Sequence, residues 1–310
     1  MFTSFRKGFV AALTVTLLAA TASASVQGQF QRTYQVTGPV ELEVLTHSGD
    51  IIVRGGPAGT VSVSGKIHAG NNWLDMRLPS HQSADVQELE KNPPIRQNGN
   101  SIHIDYVNMR NISIDYEITV PENTKVHNRT GSGDQTLENL HGNFDLESGS
   151  GDMRLHDLNG EIRLHTGSGD VEARNVSGPV TARAGSGDIS IEQNAKADVD
   201  VQTGSGNINL RGLQGGLHAE AGSGDLTVEG RQSAGWQIRT GSGNVQLRLP
   251  SDAAFNLDAN TSSGSVIVDQ PVTMTVQGKV QEPRKAINGS VRGGGPLLAV
   301  HTGSGDVHIE

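Results

Sequence analysis

The sequence predicts an all-β fold, a right-handed parallel β-helix or flattened β-solenoid with about 18 residues per coil, on three observations. The tetrapeptide Gly-Ser-Gly-Asp/Asn begins at Gly131, Gly149, Gly167, Gly185, Gly204, Gly222 and Gly241, in steps of 18, 18, 18, 19, 18 and 19 residues. A fixed period of that length is the signature of stacked structural repeats. Between successive tetrapeptides lie two short segments of alternating apolar and polar residues, the period-2 pattern of half-buried strands. The polar positions, aligned repeat on repeat, form rows in which charge signs alternate.

In order along the chain, Arg6 and Lys7 precede an apolar run from Phe9 to Ala20 and then Ala22-Ser23-Ala24, the order of a secretory leader. We expect residues 1–24 to be a signal peptide and 25–310 to form a single solenoid domain. Val40-Glu41-Leu42-Glu43-Val44 and Ser48-Gly49-Asp50-Ile51 read as an early coil. From about 68 to 100 the alternation stops around Trp73, Pro79, Pro93 and Pro94, with helical composition from Ala84 to Lys91, and this reads as an insertion. Strand character resumes over Ser101–Tyr106 and Ile112–Val120. A second insertion spans about 272–295 and holds Arg284, Lys285, Arg292 and a run of three glycines before the closing Gly303-Ser304-Gly305-Asp306. Insertions in repeat proteins either carry binding specificity or cap open ends.

One repeat shows the logic. In 185–203, Ile189 and Ile191 face inward while Ser190 and Glu192 face out; Val199 and Val201 then face inward, with Asp200 and Gln202 outside. Each coil so gives one strand to each of two sheets, with parallel crossovers of the usual right hand. The outward rows His156, Arg174, Glu192, Arg211, Glu229, Arg248 and Glu147, His165, Arg183, Gln202, Glu220, Arg239, Asp258 place no two full like charges side by side. Unlike charges on adjacent strands are mildly favourable and like charges the reverse.

Composition excludes several functions. Net charge is −9 with both signs interspersed and no basic stripe, which argues against nucleic acid as a partner. Cysteine is absent, so disulfides and thiolate metal sites are ruled out. Past the leader no run is long and apolar enough to span a bilayer.

The Gly-Ser-Gly-Asp turn has two readings. In one, Asp134, Asp152, Asp170, Asp188 and Asp225 form a calcium ladder like the aspartate-rich turns of calcium-binding β-rolls. In the other, favoured by Asn207, Asn244 and Ser265 at equivalent places, the side chain accepts a local backbone N–H in an Asx-type turn. The histidines lack the spacing of a zinc site, and His156 and His165 fall on outer faces of opposite sheets. The outward patch Asp145, Glu147, Arg163 and Arg183 is the nearest approach to a polysaccharide-cleaving site, but its charges are already explained by row pairing. We therefore expect no catalytic residue, no cofactor and no metal.

Val40–Val44 with Ser48-Gly49-Asp50-Ile51, Ile118-Thr119-Val120-Pro121, Leu247-Arg248-Leu249-Pro250 and Thr302-Gly303-Ser304-Gly305-Asp306-Val307-His308-Ile309 together resemble the bacterial β-strand-repeat domain of unknown function labelled putative adhesin. The resemblance covers about Phe30 to Glu310 and implies the fold; it supplies no site residues. The resulting expectation is a non-enzymatic, exported β-solenoid of the periplasm or cell surface. It would act in binding, adhesion or envelope scaffolding, with a surface glycan or an envelope protein as partner. A polysaccharide-active β-helix enzyme and a calcium-stabilised β-roll are the alternatives.

Overall fold

The strand-turn-strand period of the sequence is realised as two long sheets. The computed structural model describes residues 26–70, 79–109, 111–274 and 285–310; the expected leader, Trp73 and Arg284 lie outside these. The N-terminal part holds β1 (Val26–Gln35), β2 (Val40–Ser48), β3 (Ile51–Gly56), β4 (Thr60–Ala69), α1 (Pro79–Lys91), β5 (Ile95–Asn98), β6 (Ser101–Ile104) and β7 (Ile112–Pro121). Seven regular coils follow as strand pairs. They are β8 (Thr124–Ser132) with β9 (Gln135–His141), β10 (Phe144–Ser150) with β11 (Met153–Asn159), β12 (Ile162–Ser168) with β13 (Val171–Val176), and β14 (Val180–Ser186) with β15 (Ile189–Gln193). The last three are β16 (Val199–Ser205) with β17 (Ile208–Leu213), β18 (Leu217–Ser223) with β19 (Leu226–Gly230), and β20 (Trp236–Ser242) with β21 (Val245–Arg248). The chain ends with β22 (Phe255–Ser263), β23 (Val266–Val268), β24 (Val272–Thr273), β25 (Ala286–Val291), β26 (Leu297–Ser304) and β27 (Val307–Ile309).

The first strand of each coil joins a 14-stranded sheet, here sheet B, and the second joins a 13-stranded sheet, sheet A. Like positions stack as parallel Cα partners, so Glu147, His165, Arg183, Gln202, Glu220 and Arg239 run in one row. On sheet A, His156 lies beside Arg174, Glu192 beside Arg211 and Glu229 beside Arg248. Register shifts interrupt the row between Arg174 and Glu192 and between Arg211 and Glu229.

The core lies between the sheets and is Val, Ile and Leu with small residues before each Gly-Ser-Gly, as the alternation predicts; Ala182, Val201 and Ala219 are fully buried. A further inward position was not expected. Asn139, Asp157 and Asn175 have φ of 54 to 57°, with Gly212 at 70° in the equivalent place. These left-handed residues swing the very next side chain of the corner inward, and Leu140, Leu158, Val176 and Leu213 are each at most 1% exposed.

Both ends depart from coil-by-coil order. At the N-terminal end β2 and β3 stack directly on β8 and β9, while β6 and β7 lie outside them. Beyond β7, β4 and then β1 are antiparallel, and β5 closes sheet B as a hairpin with β6. The helix α1 seats Val86 and Leu89 against β1, and the Arg32 guanidinium donates to the Glu90 and Lys91 carbonyls at 2.8 and 2.7 Å. A cation at a helix C-terminus also complements the helix dipole. The described part of the first insertion therefore sets α1 against β1, the outermost strand of sheet A, and adds β5 as the outermost strand of sheet B.

At the other end β26 and β27 lie between β20/β21 and β22/β23. The row expected to run from Arg239 to Asp258 runs instead from Arg239 to His301 and then Asn260. The reason is topological: a later segment occupies the coil position that sequence order gave to 255–268. The antiparallel β25 and β24 then cover the outer edge of β22.

Candidate functional site

The Gly-Ser-Gly-Asp corner is built by close approach of successive backbones. A Cβ on Gly187, whose φ is +149°, would stand 2.1 Å from the carbonyl oxygen of Gly169 one coil below. Only glycine fits there, which explains why the triplet recurs. The fourth residue is an Asx cap, but across coils and not local as expected from sequence. The Oδ1 of Asp50 accepts the N–H of Asp134 at 2.9 Å. Asp134 serves Asp152, Asp152 serves Asp170, and Asp170 serves Asp188, at 2.9 to 3.0 Å.

The chain of caps continues from Asp188 to Asn207, Asp225, Asn244 and Asp306 and ends on Ser265. Amide and carboxylate oxygens serve alike as acceptors, which is why Asp and Asn alternate freely. Burial pushes the Asp134 carboxyl up, but the Arg154 guanidinium and the Asp152 backbone N–H outweigh it and hold it below the usual carboxylate range. The Ser265 backbone N–H, then its hydroxyl, lower Asp306. Arg154 spans Asp134 and Asp152 through their Oδ2 atoms, both at 2.7 Å. Among the described residues, no three His, Asp or Glu side chains gather so as to hold a metal ion.

The expected surface patch lies on the outer face of sheet B. Asp145 is the Cα partner of Arg163, and Glu147 that of His165. Their ionic contacts run the other way along the stack: His127 Nδ1 is 3.5 Å from Asp145 Oδ2, and Arg129 is 2.7 Å from Glu147. Arg183 lies 3.6 Å from Asp200, and Arg163 bonds Glu161. The four residues therefore share a face without converging on one point.

Sequence reading missed the part of this face supplied by the N-terminal strands. His103 of β6 lies between two carboxylates, Nδ1 at 2.5 Å from Glu43 and Nε2 at 2.6 Å from Asp105. Tyr106 and His47 stack with ring centroids 4.5 Å apart. A groove of about 440 Å³ runs across this end, lined by Glu41, Glu43, Lys125, His127, Asp145 and Arg163. No sequence signal marked it, because Glu43 and His103 are 60 residues apart and meet only through the return of β6 onto β2.

Two parallel sheets wound coil on coil, a corner of inter-coil Asx caps and outer faces tiled with paired charges define a parallel β-solenoid. The chain belongs to the Toastrack DUF4097 family, whose profile matches residues 31–174 and again 159–310. It is similar to the solved structure of a putative adhesin from Bacteroides fragilis NCTC 9343, at 14% identity and TM-score 0.45, covering 92% of this chain and 98% of that one. It is also similar to a putative cell adhesion protein from Clostridium sporogenes ATCC 15579, at 12% identity and TM-score 0.22, covering 91% and 98%. Comparison with curated proteins gives no match.

Proposed function

We propose that the protein is a non-enzymatic, exported solenoid that binds a surface glycan or an envelope protein in the periplasm or at the cell surface. In this reading the leader over residues 1–24 is removed and 25–310 works as one domain. The observation that carries it is the outer face of sheet B. Charged side chains on it pair along the stack, His127 with Asp145 and Arg129 with Glu147, on a broad surface in which Glu41, Lys125 and Arg163 line a groove. The two carboxylates that an enzyme would need, Asp145 and Glu147, each face a cationic or imidazole partner. Polar grids of this sort recognise extended, hydrated ligands by many weak contacts, whereas catalysis concentrates perturbed groups in a dry cleft.

The test is a panel of neutral and acidic bacterial polysaccharides scored for both binding and cleavage. Retention of one class, lost on Lys125→Glu together with Arg163→Glu and kept on Arg248→Glu on the other sheet, is the expected result. Release of reducing ends that disappears in Asp145→Asn or Glu147→Gln would overturn the proposal in favour of a polysaccharide-active enzyme.

A further inference from the structure

We infer that the interior of the β8/β9 coil is a built site for ordered water. Four buried polar side chains face the interior there, on neighbouring positions of the stack. Asn128 is fully buried in the row between Val44 and Leu146. Thr130 and Ser148 are neighbours in the next inward row, at 2% and 4% exposure. Gln135, fully buried between Ile51 and Met153, reaches from sheet A to sheet B, where its Nε2 donates to the Glu147 carbonyl at 2.7 Å. That carbonyl belongs to the residue between Leu146 and Ser148, so the register brings all four side chains to neighbouring positions of the stack.

Five atoms here find no protein partner: Asn128 Nδ2 and Oδ1, Thr130 Oγ1, Gln135 Oε1 and Ser148 Oγ. Elsewhere in the same row the hydroxyls face backbone carbonyls: Thr46 donates to the Ser48 carbonyl at 2.9 Å, and Thr166 lies 3.5 Å from the Gly151 oxygen. Thr203, Thr240, Thr302 and Thr261 each donate their hydroxyl to a glycine carbonyl of the neighbouring Gly-Ser-Gly corner, at 2.9 to 3.1 Å. Thr130 and Ser148 depart from that arrangement beside Asn128 and Gln135. Buried polar groups in native interiors are almost always hydrogen-bonded, and a buried water with two to four polar partners is the usual way of meeting the remainder.

The chemistry selects water over a cation. Asn128 Nδ2 is a donor and repels a metal ion, and the buried polar residues among those described are Thr, Ser, Asn and Gln with no carboxylate to balance a charge. Water both donates and accepts, which is what a set of one donor, two acceptors and two hydroxyls requires.

A high-resolution crystal structure of the wild-type protein tests this directly. Solvent density within hydrogen-bond distance of the Asn128 amide and of at least two of the other three side chains is the expected result. A dry interior, or density contacting only oxygens at cation distances, would overturn it. The sign of the melting shift in Asn128→Leu is an independent reading. With water bound, the leucine displaces it and strands Gln135, Thr130 and Ser148, lowering Tm by about 2–4 °C or more. If the interior is dry, the same change removes two unpaired groups from an apolar row, and Tm rises. Should Asn128→Leu fail to fold, the density around the wild-type side chains still decides.

Discussion

Replacing Asp170 separates the two roles of its side chain. Its Oδ1 caps the Asp188 N–H at 2.9 Å, and it is flanked along the corner by Asp152 and Asp188. At the interstrand spacing of about 4.8 Å, two unit charges in water repel by about 0.9 kcal/mol, and physiological salt roughly halves that. Two neighbours thus cost about 1 kcal/mol. The hydrogen bond contributes about 1 kcal/mol net. Asp170→Asn keeps the acceptor and removes the charge, so it should equal or exceed wild type in stability by up to about 1 kcal/mol. Asp170→Ala loses the acceptor and should fall below Asp170→Asn by about the value of one hydrogen bond, roughly 1 kcal/mol. Urea unfolding followed by circular dichroism, at low and high salt and with EDTA or calcium, reads the order. Salt should narrow the advantage of asparagine. If asparagine proves as damaging as alanine, or calcium raises the wild-type midpoint and not that of Asp170→Asn, the carboxylate charge itself is needed. The cap explanation would then be wrong and a calcium ladder right.

Other outcomes follow from the same geometry. Gly187→Ala drives a Cβ into the Gly169 carbonyl and should cost about 3 kcal/mol or more, whereas Gly99→Ala, with φ of +59° and open space around it, should cost about 1 kcal/mol; their melting points give the contrast. Trp236 is 1% exposed and donates from Nε1 to the Gly215 carbonyl at 2.9 Å, so Trp236→Ala should lose about 3–5 kcal/mol by denaturant titration. Arg211→Glu places a like charge beside Glu192, and a fall of about 0.2–1 kcal/mol that fades with salt is expected; an unchanged melting point would contradict the register. Asp134, Asp157, Asp252 and Asp306 all sit below the usual carboxylate range. Depressed folded values give stability that is present above the unfolded value near 4 and is lost as pH falls through the folded ones. The urea midpoint should accordingly drop between pH 5 and pH 2, in the range where such aspartates titrate; a flat midpoint would contradict the assigned contacts.

The regular coils were legible because each one repeats the same local physics: Ile189 and Ile191 alternate with polar residues, and glycines mark where backbones touch. Register was legible too, since Glu147 to Arg239 is a pattern that only one alignment satisfies. The ends were not. Every coil offers the same row of backbone donors and acceptors to its neighbour, so nothing in 255–268 says whether it stacks on β21 or one place further out. Asp258 was therefore placed beside Arg239, where His301 lies. The corner leucines were hidden for a different reason: in Glu138-Asn139-Leu140 a left-handed residue breaks the alternation, and the strand pattern reads as ended one residue too soon. Asn128 and Gln135 were readable by parity as inward, and only their polarity argued otherwise. The groove beside Glu43 depends on contacts 60 residues apart and left no trace in the spacing.

The placement of β26 and β27 inside the stack has a temporal side. Residues 255–268 are synthesised before 297–309, yet their final seat is on top of those later residues. Until the later segment arrives, the nearest complementary edge for β23 is β21, and Ser265 can donate its backbone N–H to the Asn244 Oδ1 that the Asp306 N–H occupies in the finished stack. Folding must then either hold that coil back or peel it off and slide the last strands beneath it. Loss of those strands would let the earlier coil settle one level lower, giving a shorter solenoid with a different end surface.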